Sequence, residues 1–119
     1  MRSLMELVAA TFSAIVGVSC AARIAPAAPV VTPAGVRFVL MDPAASSVAL
    51  AGTFNLWSVS SHPLALDSRG LWTIVVALPP GEHVFMYVVD GTQWISPPLA
   101  EDYVDDGFGA KNGVVVVRP

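Results

Sequence analysis

From Val36 onward the chain sets short apolar runs between turn-forming clusters, and the apolar positions repeat at strand period. The pattern predicts strands over Val36–Met41 (ended by Asp42-Pro43), Ser47–Ala51 (ended by Gly52) and Leu71–Leu78 (ended by Pro79-Pro80-Gly81). Further strands are expected over Glu82–Val89 (ended by Asp90-Gly91), over Gln93–Ser96 (cut by Pro97-Pro98) and over Gly113–Arg118. Helix signals are absent after residue 30. Strands this short and this closely spaced point to an all-β, immunoglobulin-like β-sandwich. Alternation puts Trp72, Ile74, Val76 and Leu78 on one face, and Phe85, Tyr87 and Val89 on one face of the next strand. The Pro79-Pro80-Gly81 loop predicts that these two strands pair as a hairpin. Asp90-Gly91 predicts a tight turn back into Trp94. The outward positions Val84, Met86 and Val88, with Thr73, Val75 and Ala77 beside them, would form an apolar sheet face. An exposed face of that kind suits a protein or membrane contact.

The start of the chain follows a different pattern. Leu4 to Ala22 is almost wholly apolar, flanked by Arg2 and Arg23 and interrupted by Glu6. A hydrophobic helix of roughly 20 residues spans a bilayer, and a shorter apolar core serves as a secretory signal. Residues 1–22 are therefore read as a signal peptide or membrane anchor, with membrane contact through residues 4–22. Gly17-Val18-Ser19-Cys20 is similar to a bacterial lipoprotein cleavage box, and Ala25-Pro26-Ala27 offers another small-residue cleavage site. The Pro- and Ala-rich stretch 23–35 reads as a spacer. Residues 36–119 form the folded domain, expected to be exported or membrane-anchored in a bacterial envelope.

Composition narrows the chemistry. The chain has 119 residues, of which 55% are hydrophobic and 13% charged, with a net charge of −3 and no basic cluster. There is no electrostatic footprint for nucleic acid. A single cysteine excludes an internal disulfide. His62 and His83 have no cysteine nearby and read as surface or half-buried residues rather than zinc ligands. Glu101, Asp102, Asp105 and Asp106 fall in a Pro- and Gly-rich segment. They read as a solvated loop rather than a calcium site or a carboxylate pair of fixed separation. No serine or cysteine sits in a nucleophile motif, and Gly107-x-Gly109 precedes a strand rather than a helix. No catalytic residue, metal or cofactor is expected.

Three tryptophans remain. Trp72 alternates with Ile74 and Val76 and reads as core. Trp57 and Trp94 each follow a turn, which leaves their faces open. An aromatic face stacks on the C–H face of a pyranose, and two platforms set at an angle suit a curved α-glucan. In sequence order, Gly52-x-Phe54-Asn55-x-Trp57, Val89-Asp90-Gly91 followed by Trp94, and Phe108-Gly109-Ala110-Lys111-Asn112-Gly113 run over nearly the whole domain. This order resembles carbohydrate-binding module family 48, the glycogen-binding domain of AMP-activated protein kinase. That family also occurs in front of branching and debranching enzymes. The resemblance implies a non-catalytic domain that binds α-glucan such as glycogen or starch. It implies Trp57 and Trp94 as stacking platforms, Phe108 as an apolar wall and Asn112 as a hydrogen-bonding residue, with Lys111 beside it as a further candidate.

Two positions depart from the pattern. Met86 stands where glycogen-binding members commonly carry lysine, and Ala110 stands in the hydroxyl position. Each lost hydrogen bond is worth about 0.5–3 kcal/mol depending on charge. A competing reading follows: a sugar-blind sandwich acting as a sensor or adaptor at a membrane, with a protein partner on the face at Val84, Met86 and Val88. A third makes the chain a truncated relative of a starch-processing enzyme, because 119 residues leave no room for a catalytic barrel.

Overall fold

A computed structural model describes residues 26–119. The expected hydrophobic helix, the Cys20 box and the anchor or signal at 1–22 lie outside the described residues. Among the described residues no helix is long and apolar enough to cross a membrane.

The described residues form nine strands in two antiparallel sheets. The first sheet holds β1 (Val30–Thr32), β2 (Gly35–Met41), β5 (Leu71–Val76) and β4 (Ala65–Leu66), in the order β1-β2-β5-β4. The second holds β3 (Val48–Gly52), β6 (Gly81–Val89), β9 (Lys111–Val117) and β8 (Asp102–Asp105), in the order β3-β6-β9-β8. A short β7 (Gln93–Ile95) pairs with the last three residues of β6. The inward faces meet in one core. Phe38, Leu40, Trp72 and Val76 from the first sheet pack with Val48, Leu50, Phe85, Tyr87 and Val115 from the second. Phe85 sits edge-on to Phe38 at 5.0 Å between centroids. The Tyr87 hydroxyl donates across the sandwich to the Val39 carbonyl at 2.9 Å. Burial pushes that hydroxyl well above the usual phenol range, so it stays a neutral donor. Trp72 is core as expected, its indole N–H donating to the Asp42 carbonyl at 2.8 Å.

Four expectations are corrected. First, β5 and β6 are not a hairpin. They lie in different sheets, and residues 77–80 cross from one layer to the other. Pro79 and Pro80 have no amide N–H to close a tight ladder, and β6 finds its partners in β3, β9 and β7 instead. Second, Thr73, Val75 and Ala77 therefore do not adjoin Val84, Met86 and Val88. Third, the spacer 23–35 ends in a strand: the β-branched Val30-Val31-Thr32 pairs with Gly35–Arg37, and Thr32 Oγ1 donates to the Gly35 carbonyl at 2.7 Å. Fourth, the acidic segment is an edge strand rather than a loop. β8 pairs with Lys111–Val114 and turns acidic side chains outward, which discourages another chain from adding to the sheet. Beyond it Glu101 accepts from the Val116 amide and pairs with Arg118 at 3.1 Å, so β9 is flanked rather than left open.

Candidate functional site

The outer face of the second sheet carries the site. Register places Ala51 and Ala49 of β3 opposite Met86 and Val88 of β6, and Trp94 of β7 on the other side of Val88. Gly113 is paired with Phe85, so Asn112 falls next to Met86 on the outward side. The alanines leave room on this face for a large ring to lie flat.

Trp57 supplies that ring, through an unusual backbone. β3 ends at Gly52, where a Cβ would lie 2.5 Å from both the Phe54 ring and the Val84 carbonyl. A 3-10 turn, Thr53–Asn55, then leads into Leu56 and Trp57 at φ 57° and 58°, both left-handed. Two successive non-glycine residues there cost about 1–2 kcal/mol each. The Asn55 side chain holds the loop. Its Oδ1 accepts from the amides of Gly52 (3.0 Å) and Ser58 (3.2 Å). Its Nδ2 donates to the Leu50 carbonyl and to His62 Nδ1, both at 2.9 Å. With Oδ1 facing two N–H donors, the amide orientation is set, and His62 Nδ1 must accept. The Trp57 amide closes the loop onto the Gly52 carbonyl at 2.9 Å. The half-buried Trp57 ring then packs over Ala49, Ala51 and Val88.

Trp94 arrives by a tight turn. Asp90 and Gly91 both have positive φ, 54° and 79°, and the Thr92 amide donates to the Val89 carbonyl, as in a type I′ turn. Asp90 Oδ1 also accepts from the Ser46 and Ser47 amides at 2.7 and 3.1 Å, tying this turn to the start of β3. The Trp57 and Trp94 rings end 6.5 Å apart at 45°. Trp94 is 45% exposed.

These rings open onto a hollow of about 380 Å³ lined by Trp57, Met86, Trp94, Asp106, Phe108 and Asn112. Of the five residues singled out in the sequence, four meet here. Met86, 5% exposed, is the floor. Phe108 is 93% exposed and projects as a free wall. It stands on the loop 106–110, where Asp106 Oδ1 accepts from the amides of Phe108 (2.6 Å) and Ala110 (3.1 Å). Lys111 is not part of the lining: alternation puts it on the face opposite Asn112, and its Nζ meets Asp105 at 3.3 Å. Asp106, expected as one more acid of a solvated loop, lines the hollow instead. The signal was the run Asp106-Gly-Phe-Gly, since aspartate opens turns by accepting its own downstream amides. The apolar face expected at Val84, Met86 and Val88 is not free. Val88 is 1% exposed beneath Trp57, so a protein-docking surface there is not supported. A second hollow, about 190 Å³ over Val39, Met41 and Leu71 of the other sheet, has no polar side chain in its lining.

His83 is buried, its Nε2 2.7 Å from the Pro79 carbonyl. Among the described residues no group of three His, Cys, Asp or Glu could hold a metal.

A family model described as the glycogen recognition site of AMP-activated protein kinase matches residues 38–119. Among curated proteins, the chain is 42% identical over 65 residues to the 1,4-alpha-glucan branching enzyme of Pseudomonas syringae pv. tomato, covering 53% of this chain and 9% of that enzyme. It is 36% identical over 66 residues to the branching enzyme of Dictyostelium discoideum, covering 49% and 10%. It is 29% identical over 68 residues to that of Bradyrhizobium sp. (strain BTAi1), covering 57% and 10%. The chain thus spans about a tenth of the length of these relatives. With the match running from β2 to the last residue, the chain belongs to the glycogen-recognition family of carbohydrate-binding modules, family 48.

Proposed function

We propose that this domain binds α-glucan through the hollow on its second sheet and does not turn the glucan over. The observation that carries this reading is the tilted Trp57–Trp94 pair above a preformed pocket. Two aromatic planes at 45° match successive glucose units of a curved chain better than a flat polymer. Trp57 and Trp94 stack on the rings, Phe108 closes one side, and Asn112 exchanges hydrogen bonds with hydroxyls. Met86 supplies apolar contact where related domains offer a lysine, so affinity leans on stacking. Branching enzymes carry a similar stretch as a tenth of their length, which fits a targeting role for the module.

Retention on insoluble starch and glycogen tests this. The protein should be retained, and Trp94→Ala and Trp57→Ala should each weaken retention more than tenfold. Trp94→Ala is the cleaner probe, because Trp57 also roofs Val88 and its loss costs stability. A folded protein that ignores both polymers would refute the reading.

We also propose that the domain works outside the cytoplasm, exported or held at a bacterial envelope by residues 1–22. The support is the apolar run Leu4–Ala22. Cell fractionation that finds the protein only in the cytosol would overturn it.

A further inference from the structure

We propose that Asp106 is a sugar-binding residue that sets the charge class of the ligand, favouring neutral or amino-bearing α-glucan and opposing glucan that carries phosphate. This rests on the glucan reading of the same hollow.

Asp106 combines two tasks on its two oxygens. Oδ1 is occupied by the Phe108 and Ala110 amides, and the Asp106 amide closes the loop onto the Ala110 carbonyl at 3.0 Å. The side chain is thereby held in one orientation. Oδ2 has no hydrogen-bond donor within reach among the described residues, yet the residue lines the hollow with Trp57, Trp94, Phe108 and Asn112. A carboxylate oxygen is an acceptor only, and the groups that a glucose presents to a pocket wall are hydroxyl donors. A held, unpartnered acceptor beside two stacking rings is suited to take one of them.

Among the described residues no cation lines the hollow to offset this charge. The lining holds no Lys, Arg or His. Lys111 is engaged with Asp105, Arg118 with Glu101 and Arg69 with Asp67, and none of the three cations lines the hollow. Arg37 sits on β2, in the other sheet. The floor, where a positive group would answer an anion, is the thioether of Met86. The pocket therefore presents one negative charge to whatever enters it.

The test uses β-cyclodextrin, a ring of α-1,4-linked glucose. In two derivatives every primary hydroxyl is replaced by an amino group or esterified with phosphate, so the substituent is present whichever ring docks. Affinities are measured by titration calorimetry on the whole protein, on Asp106→Asn and on Asp102→Asn. Asp102 is exposed on β8 and outside the lining. Its substitution makes the same change in net charge away from the pocket.

The wild type should bind the amino ring at least as well as the neutral one and the phosphorylated ring most weakly. Asp106→Asn keeps an oxygen for the two loop amides and removes the charge. It should narrow the amino-to-phosphate preference by at least about threefold, an effect that shrinks in 0.5 M salt, while Asp102→Asn should leave it within error. If Asp106→Asn fails to fold by thermal unfolding, Asp106→Ser keeps an acceptor for the loop without the charge and is read the same way. An unchanged preference in the Asp106 variant, or an equal change in Asp102→Asn, overturns the proposal, because a purely structural Asp106 would not move the ratio. A folded wild type that binds none of the three rings overturns the glucan reading, and this inference with it.

Discussion

Asn55→Ala tests how the Trp57 platform is built. Asn55 makes four hydrogen bonds, two accepted by Oδ1 and two donated by Nδ2, all of them between partly buried groups. A neutral hydrogen bond contributes about 0.5–1.5 kcal/mol net, and an orphaned partner costs its desolvation. Some partners left behind regain water at this half-buried site, so the loss in stability should be about 3 kcal/mol rather than the sum of the maxima. A domain of this size holds on the order of 5–14 kcal/mol, so the variant remains folded. The binding effect should be larger. The left-handed pair Leu56-Trp57 persists only while its surroundings enforce it. Without Asn55 the loop relaxes toward ordinary backbone and carries the indole off Val88. Asn55→Asp keeps the two accepted bonds and loses the two donated ones, so about half the stability loss is expected. Urea unfolding followed by tryptophan fluorescence measures stability, with the slope expected to stay unchanged. Maltoheptaose titration of the same samples measures the platform. A stability loss under about 1 kcal/mol in Asn55→Ala, or unchanged affinity, would refute the idea that this side chain maintains the strained loop.

Leu56 is 91% exposed in left-handed backbone, so Leu56→Gly sheds strain at little loss of contact. After the entropy that glycine adds to the unfolded chain, a gain of about 0.5 kcal/mol is expected, and a fall in Tm by calorimetry would contradict it. Tyr87→Phe removes the tie to the Val39 carbonyl and should cost about 1–2 kcal/mol. Because burial raises the hydroxyl pKa above its ordinary value, that difference should stay constant in urea unfolding from about pH 6 to 9 and shrink as pH rises through the unfolded value of about 10. Asp67 accepts from the Arg69 guanidinium and from the Arg69 and Leu71 amides, and chiefly the Arg69 side-chain bond holds its carboxyl below the ordinary range. Its stabilising contribution is then present above the unfolded value of about 3.9 and is lost as pH falls through the folded value. Asp67→Asn should therefore flatten the acid side of the stability–pH curve, and identical curves would show that the shift has no consequence for folding.

The strand expectations held where alternation was long. The boundaries of β2, β3, β6 and β7 fall within one residue of those expected, and the inward sets Trp72-Ile74-Val76-Leu78 and Phe85-Tyr87-Val89 do form the core. β5 stops at Val76, two residues early, and β9 begins at Lys111, two residues before the Gly113 expected. The misses fell on short strands. β1 was hidden by the prolines and alanines around it, β4 has two residues, and β8 is acidic because it is an edge. Strands of two to four residues have too little periodicity of their own to announce themselves, and β7, at three residues, was legible through the Asp90-Gly91 turn before it and the prolines after it.

Local chemistry in the sequence determined the strands, the Asp90-Gly91 turn and the two tryptophans that follow turns. These depend on side-chain period and on backbone preferences within a few residues. What only the tertiary structure decided was adjacency. Pairing register sent β5 and β6 to different sheets, turned an apparent apolar face into a floor under Trp57, set Asn112 beside Met86 and turned Lys111 away. It also lifted Asp106 from a run of acids into the hollow. Such placements follow from hydrogen-bonded partners distant in the chain, and no local pattern encodes which strand will lie next to which.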